Sequence, residues 1–144
     1  MFRRLSVLLI CAAGLVGCAS TSIDNLHFPY RALQNLAKKS SPLGVRTVSR
    51  NGREVYSQYF AIYKGTYRDA SKLGRRYFSK ISILGGRRPY EVSIEVFEET
   101  RHSDGSYSSP SSTSKYVRRV KMDFERHLAE RRKNPGTIDD FKVF

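Results

Sequence analysis

The chain has 144 residues, enough for one domain and too few for two. It carries 26 Lys and Arg against 13 Asp and Glu, a formal net charge of +13. A surplus that large draws anionic partners by long-range attraction and carries no information about the fold.

Met1-Phe2-Arg3-Arg4 opens the chain with positive charge, and between Leu5 and Val16 only Ser6 is polar. Such a run is too short for a ~30 Å hydrocarbon core, which takes about 20 helical residues, so it reads as a signal peptide. Its end, Leu15-Val16-Gly17-Cys18, resembles the lipobox of bacterial lipoproteins, where a small residue precedes the cysteine that is lipidated. The resemblance implies cleavage of residues 1–17, a diacylglycerol thioether on Cys18 and acylation of the freed amine. Each buried CH2 contributes about 0.8 kcal/mol, so two or three acyl chains fix such a protein to a bilayer. Ala19, not Asp, follows the cysteine, which in that family implies the outer membrane. Cys11 leaves with the signal, so the expected mature chain has neither a disulfide nor a free thiol. Removing Arg3 and Arg4 takes the 26 basic residues to 24 against 13 acidic ones, a net charge of +11. At that address the nearer anions are lipopolysaccharide phosphates, acidic headgroups and peptidoglycan carboxylates, and nucleic acid is not an expected partner.

Residues 18–27 read as the lipidated N-terminus and a tether, since the nine polar-rich residues "ASTSIDNLH" reach about 30 Å when extended. The domain is then expected over 28–144. In "FPYRALQNLAKKS", Pro29 suits a first helical position, Tyr30, Leu33, Leu36 and Ala37 recur at helical spacing, and Lys38-Lys39 complement the helix dipole. That predicts a helix over 29–39. In "VRTVSRNGREVYSQYFAIY", Asn51-Gly52 between two β-favouring runs predicts a hairpin with a two-residue type I′ turn. "TYRDASKLG" reads as a loop or short helical turn and "RRYFSKISIL" as a strand. Gly85 to Pro89 then turns the chain into "YEVSIEVFEETRH". There Tyr90, Val92, Ile94 and Val96 are expected to face a core, and Glu91, Ser93, Glu95 and Glu99 water, while Phe97 breaks the alternation. "SDGSYSSPSSTS", 103–114, reads as a long flexible loop, with an edge strand around Tyr107 as the alternative. "KYVRRVKMDFERHLAERRK" restores the helical period with a stripe of Val117, Val120, Phe124 and Leu128, flanked by Tyr116 and His127, until Asn134-Pro135-Gly136 stops it. "TIDDFKVF" reads as a short last strand or an extended tail. The order predicts an α+β domain: an antiparallel sheet of about four strands with two helices packed on one face, the other face partly solvated.

Motifs for chemistry are sparse. His27, His102 and His127 share no metal-ligand spacing, and no Gly-x-Ser-x-Gly elbow or Gly-x-Gly-x-x-Gly frame occurs, so neither metal nor cofactor is expected. Glu91, Glu95 and Glu99 share one strand face with Ser93, about 7 Å apart per two-residue step, which reads as a solvated face. The arginines are more informative. In a meander of strands 54–63, 77–84 and 90–101, the Asn51-Gly52 turn and the 85–89 turn share one end and gather Arg50, Arg53, Arg87 and Arg88. Arg68, Arg75 and Arg76 fall at the other end, about 25–30 Å away. Four guanidiniums on adjoining turns suit a phosphate or carboxylate. The last helix is basic and amphipathic, but its apolar stripe is narrow and fits sheet packing better than a membrane. The expected function is a non-catalytic binding or assembly-accessory module docking on an envelope protein. The alternative is a binder of anionic lipopolysaccharide or peptidoglycan through the turn arginines.

Overall fold

The computed structural model describes residues 19–134. The signal segment 1–17, the lipobox cysteine Cys18 and the strand expected within 137–144 lie outside the described residues. The elements are β1 (Ser20–Leu26), α1 (Tyr30–Ser40), β2 (Val45–Val48), β3 (Glu54–Ser57), β4 (Phe60–Tyr63), β5 (Thr66–Asp69), β6 (Arg75–Leu84), β7 (Tyr90–Thr100), β8 (Ser111–Thr113) and α2 (Val117–Lys133). None of these helices is long and apolar enough to cross a membrane.

The fold is α+β, with a single antiparallel sheet of eight strands where about four were expected. The higher count comes from interrupted strands more than from width, because the path β1-β7-β6-β3-β2 is five strands across. The long β6–β7 ladder, from Arg75 opposite Thr100 to Leu84 opposite Glu91, is its spine. On the outer edge of β7, β8 and β1 lie end to end, with Thr113 opposite Val96 and Ser20 opposite Glu95. On the outer edge of β6, β3 and β4 divide the expected strand 54–63, broken at Gln58-Tyr59, and β2 and β5 flank them.

The tether reading of residues 19–27 does not hold, because Ser20–Leu26 is a strand of the sheet. Ile23 packs against the core and Leu26 is fully buried, so the alternating small polar and apolar side chains serve an edge strand. The domain therefore begins at Ser20. Asn51-Gly52 does make a hairpin, but not a type I′ turn. Gly52 N donates to Ser49 O (2.8 Å), Ser49 N donates to Glu54 O (2.9 Å), and of this turn only Gly52 has positive φ, at 71°. The Asn51 side chain explains the longer loop, since its Oδ1 accepts from Arg53 N (3.0 Å) and Ser49 Oγ (2.7 Å). The two-residue turn lies instead at Lys64-Gly65, both at positive φ, between Tyr63 and its partner Thr66. "TYRD", expected outside the sheet, is thus β5. In the 103–114 segment Tyr107 makes a single bridge to Arg101, and the edge strand forms further on, as β8.

Both helices pack on one face, as expected. Leu33, Leu36 and Ala37 of α1 and Val117, Val120, Phe124 and Leu128 of α2 close over Val55, Ile81, Ile83, Val92, Ile94 and Val96. Each such large side chain contributes about 1.5–3 kcal/mol when fully buried. The helical stripes and the period-2 strand pattern meet in this one core.

Candidate functional site

The predicted turn arginines do share one end of the sheet, but they divide by role. Arg53 is built into the structure: Nη1 donates to Gly85 O (2.6 Å) and Ile83 O (3.2 Å), and its guanidinium lies 5.5 Å from the Tyr30 ring centre. It braces one turn against the other. Arg50, Arg87 and Arg88 are exposed and make no hydrogen bond or ion pair among the described residues. Arg75 and Arg76 stand at the other end of the ladder, as expected.

The larger feature is the sheet face that no described helix covers. On β6 and β7 the side chains alternating away from the core include Arg76, Phe78, Lys80, Ser93, Glu95, Phe97 and Glu99. The break in alternation at Phe97 has its reason here: Phe97 stacks on its cross-strand partner Phe78, ring centres 5.2 Å apart and 17° between planes. Tyr59, in the gap between β3 and β4, meets Phe78 edge-on at 5.9 Å. Arg46 lies over Tyr59 (4.4 Å) and Phe78 (4.9 Å), with Nη1 donating to the Tyr59 hydroxyl (3.1 Å). Arg76 is sandwiched between Tyr59 (3.6 Å) and Tyr107 (3.3 Å).

Glu99 corrects the expectation of a solvated carboxylate row. It is buried, its Oε2 accepting from Arg76 Nε at 2.7 Å, while Tyr107, whose hydroxyl donates to Leu73 O (2.8 Å), closes the end. Glu95 is half-buried and pairs with Lys80 (3.1 Å), which also reaches Glu54 (3.6 Å). Burial works to lower the Lys80 ammonium, but the Glu95 hydrogen bond and the Glu95 and Glu54 charges outweigh it and raise its pKa. Burial and the hydrogen bond to Glu54 push the Tyr56 phenol up. These charges line a cavity of about 260 Å3 that runs to Arg53 and Asn51. The face therefore grades from stacked rings and guanidiniums, through a paired charge cluster, to exposed turn arginines.

On the helical side, a cavity of about 400 Å3 lies between α1 and α2, bordered by Asn35, Leu36, Lys39, His127 and Glu130. Its polar groups answer one another. His127 Nδ1 is 3.0 Å from Ser40 Oγ, and Lys39 pairs with Glu130 at 3.4 Å. Burial, aided by the Lys39 charge, lowers the His127 pKa. Among the described residues no group of three His, Cys, Asp or Glu is placed to hold a metal ion.

Sequence reasoning missed Arg46, Tyr59 and Tyr107 as parts of the uncovered face. The supply of nine Tyr leaves several tyrosines as candidates for this face, and the out-of-step Phe97 is the positional signal that it carries rings. Compared with family models, curated proteins and solved structures, the chain finds no match.

Proposed function

We propose that this chain is a lipoprotein of the bacterial outer membrane, held by lipid on Cys18, whose domain is a non-catalytic docking module for another envelope protein. One observation carries the docking role: on a sheet face that no described helix covers, half-buried Phe97, Tyr59 and Tyr56 pack around a buried Phe78, with the guanidiniums of Arg46 and Arg76 over the Tyr59 ring. Aromatic and arginine side chains concentrate at the centres of protein interfaces, and rings already fixed in place lose little entropy on binding. The test is a photo-reactive residue at Thr47, exposed beside Tyr56, in intact cells. The expected result is one adduct of defined mass that disappears with Arg46→Glu and does not form from the same group at Lys72. No adduct, or one indifferent to Arg46, overturns the reading. The anchor is tested separately, by release of a Cys18→Ser chain from the membrane fraction.

The alternative partner is an anionic envelope polymer, lipopolysaccharide or peptidoglycan, bound through Arg50, Arg87 and Arg88. It is favoured by the 2.6 Å bond from Arg53 to Gly85 O, which holds the two turns together while leaving those three guanidiniums outside. Binding that weakens with salt and with Arg50→Ala, Arg87→Ala and Arg88→Ala supports it. Salt-independent or absent binding ends it. Neither reading calls for a cofactor.

A further inference from the structure

β1 begins at Ser20, two residues after Cys18, so the link between that cysteine and the sheet spans at most about 7 Å. Nor does Ala19 run on along β7. Ser20 stands opposite Glu95, and the next position on that edge, Val96, is taken by Thr113 of β8. The backbone must therefore leave the sheet edge where β8 ends and β1 begins.

That exit borders a groove of about 620 Å3 lined by residues that include Thr21, Ser114, Arg118, Lys121, Met122 and Glu125. Lys121 Nζ donates to Thr21 Oγ1 (3.4 Å), tying α2 to β1, and stands 3.9 Å from Glu125. Arg118 is exposed and has no hydrogen bond or ion pair among the described residues. Met122, one helical turn on, is 54% exposed. The apolar stripe of α2 is spent on the core, and this is a different flank of the helix.

We propose that this flank of α2 is the membrane-facing surface of the protein, with Arg118 and Lys121 on the phosphates of anionic lipid headgroups and Met122 at the outer acyl carbons. The inference rests on the reading of Cys18 as the lipid anchor. A 7 Å link is shorter than the roughly 10–12 Å diameter of a helix, so whatever surrounds the exit meets the headgroups. Its charged groups are Arg118 and Lys121 against the single acid Glu125, and each Lys or Arg near an anionic surface tightens apposition about fivefold. At the other end of β1, Leu26 pairs with Tyr90 beside the 85–89 turn, which places Arg87 and Arg88 about 20 Å along the strand from the anchor.

The chain from Cys18 onward has one thiol and one methionine, Met122, which makes a direct test available. Cys18 is coupled through a maleimide lipid to vesicles of phosphatidylcholine alone or with phosphatidylglycerol, and peroxide oxidation of Met122 is followed by mass spectrometry. Oxidation is expected to slow severalfold with phosphatidylglycerol. Arg118→Gln with Lys121→Gln is expected to erase that difference, and Arg87→Gln with Arg88→Gln to leave it intact. Equal rates on both vesicles, or protection that survives the Arg118 and Lys121 changes, overturns the proposal. The anchor is read independently in cells: a Cys18→Ser chain that stays in the membrane fraction removes the anchor and this surface with it. An intact anchor with unprotected Met122 removes the surface alone.

Discussion

Arg76 and Glu99 stand opposite each other on the β6–β7 ladder with Nη2 2.7 Å from Oε2, their side chains only 13% and 9% exposed. A pair this enclosed is expensive to break from one side. Glu99→Ala leaves a guanidinium stacked between Tyr59 and Tyr107 without its counter-ion and is expected to cost about 3 kcal/mol. Replacing both, Arg76→Met with Glu99→Leu, should recover most of that loss. Urea unfolding of the three variants checks the order.

A second buried carboxylate, Asp123, interrupts the apolar stripe of α2. It accepts from the Tyr67 hydroxyl (2.7 Å) and Arg126 Nη2 (2.9 Å), with Arg119 Nε at 3.6 Å. Tyr67→Phe removes one donor and is expected to destabilise the fold by about 1–2 kcal/mol. Burial first, then the bond to Asp123, raises the Tyr67 pKa above its usual 10.0. A group raised on folding stabilises below its unfolded pKa, and this contribution is lost as pH climbs past 10.0. Tyr67→Phe should therefore flatten the alkaline limb of the stability profile, measured by urea midpoint against pH.

His127 acts in the opposite sense at low pH. Burial beside Ser40, with Lys39 and Arg126 nearby, lowers its pKa from 6.5 against the weaker pull of Glu130 and Asp123. The unfolded chain then takes the proton first, so this contribution holds above pH 6.5 and is lost as pH falls through the lowered value. Between about pH 7.5 and about pH 5 the parent protein should lose more Tm than His127→Gln does.

The hairpin 49–53 rests on α1 through Gly52, whose carbonyl accepts from Gln34 Nε2 (3.0 Å), and through Asn51 O, which accepts from the Tyr30 hydroxyl (3.3 Å). A Cβ at Gly52 meets Gln34 Nε2 at 2.6 Å, on a backbone with φ of 71°. Gly52→Ala is expected to cost about 1–2 kcal/mol by calorimetry. Gln34→Ala in the same chain relieves the contact and not the dihedral, so only part of the loss returns.

The two helices, the β6–β7 hairpin and the end of the sheet that gathers the turn arginines follow from patterns that are local in sequence: 3.6 or 2 residue periods and turn glycines. What lay beyond those patterns depends on partners far along the chain. Ser20–Leu26 reads as polar linker until β7 supplies an edge for Ile23 and Leu26. Glu99 reads as a solvated acid because its neighbours Arg76 and Tyr107 arrive from other segments. Arg53 was legible by place and not by role, since an arginine on a turn reads the same whether it meets a ligand or, as here, a carbonyl of the next turn.

The pairing of β1 with β7 has a bearing on biogenesis. β1 is the earliest described strand to be synthesised, yet Ser20 waits for Glu95, while β6 and β7 need only the short turn between them. Closure of that long loop is entropically the slow kind of step, and until it happens β7 presents free N–H and C=O groups to any neighbouring chain. Docking of the segment next to Cys18 therefore covers the edge of the long hairpin and leaves the shorter strand Ser20–Leu26, with its small polar residues, as the edge in its place.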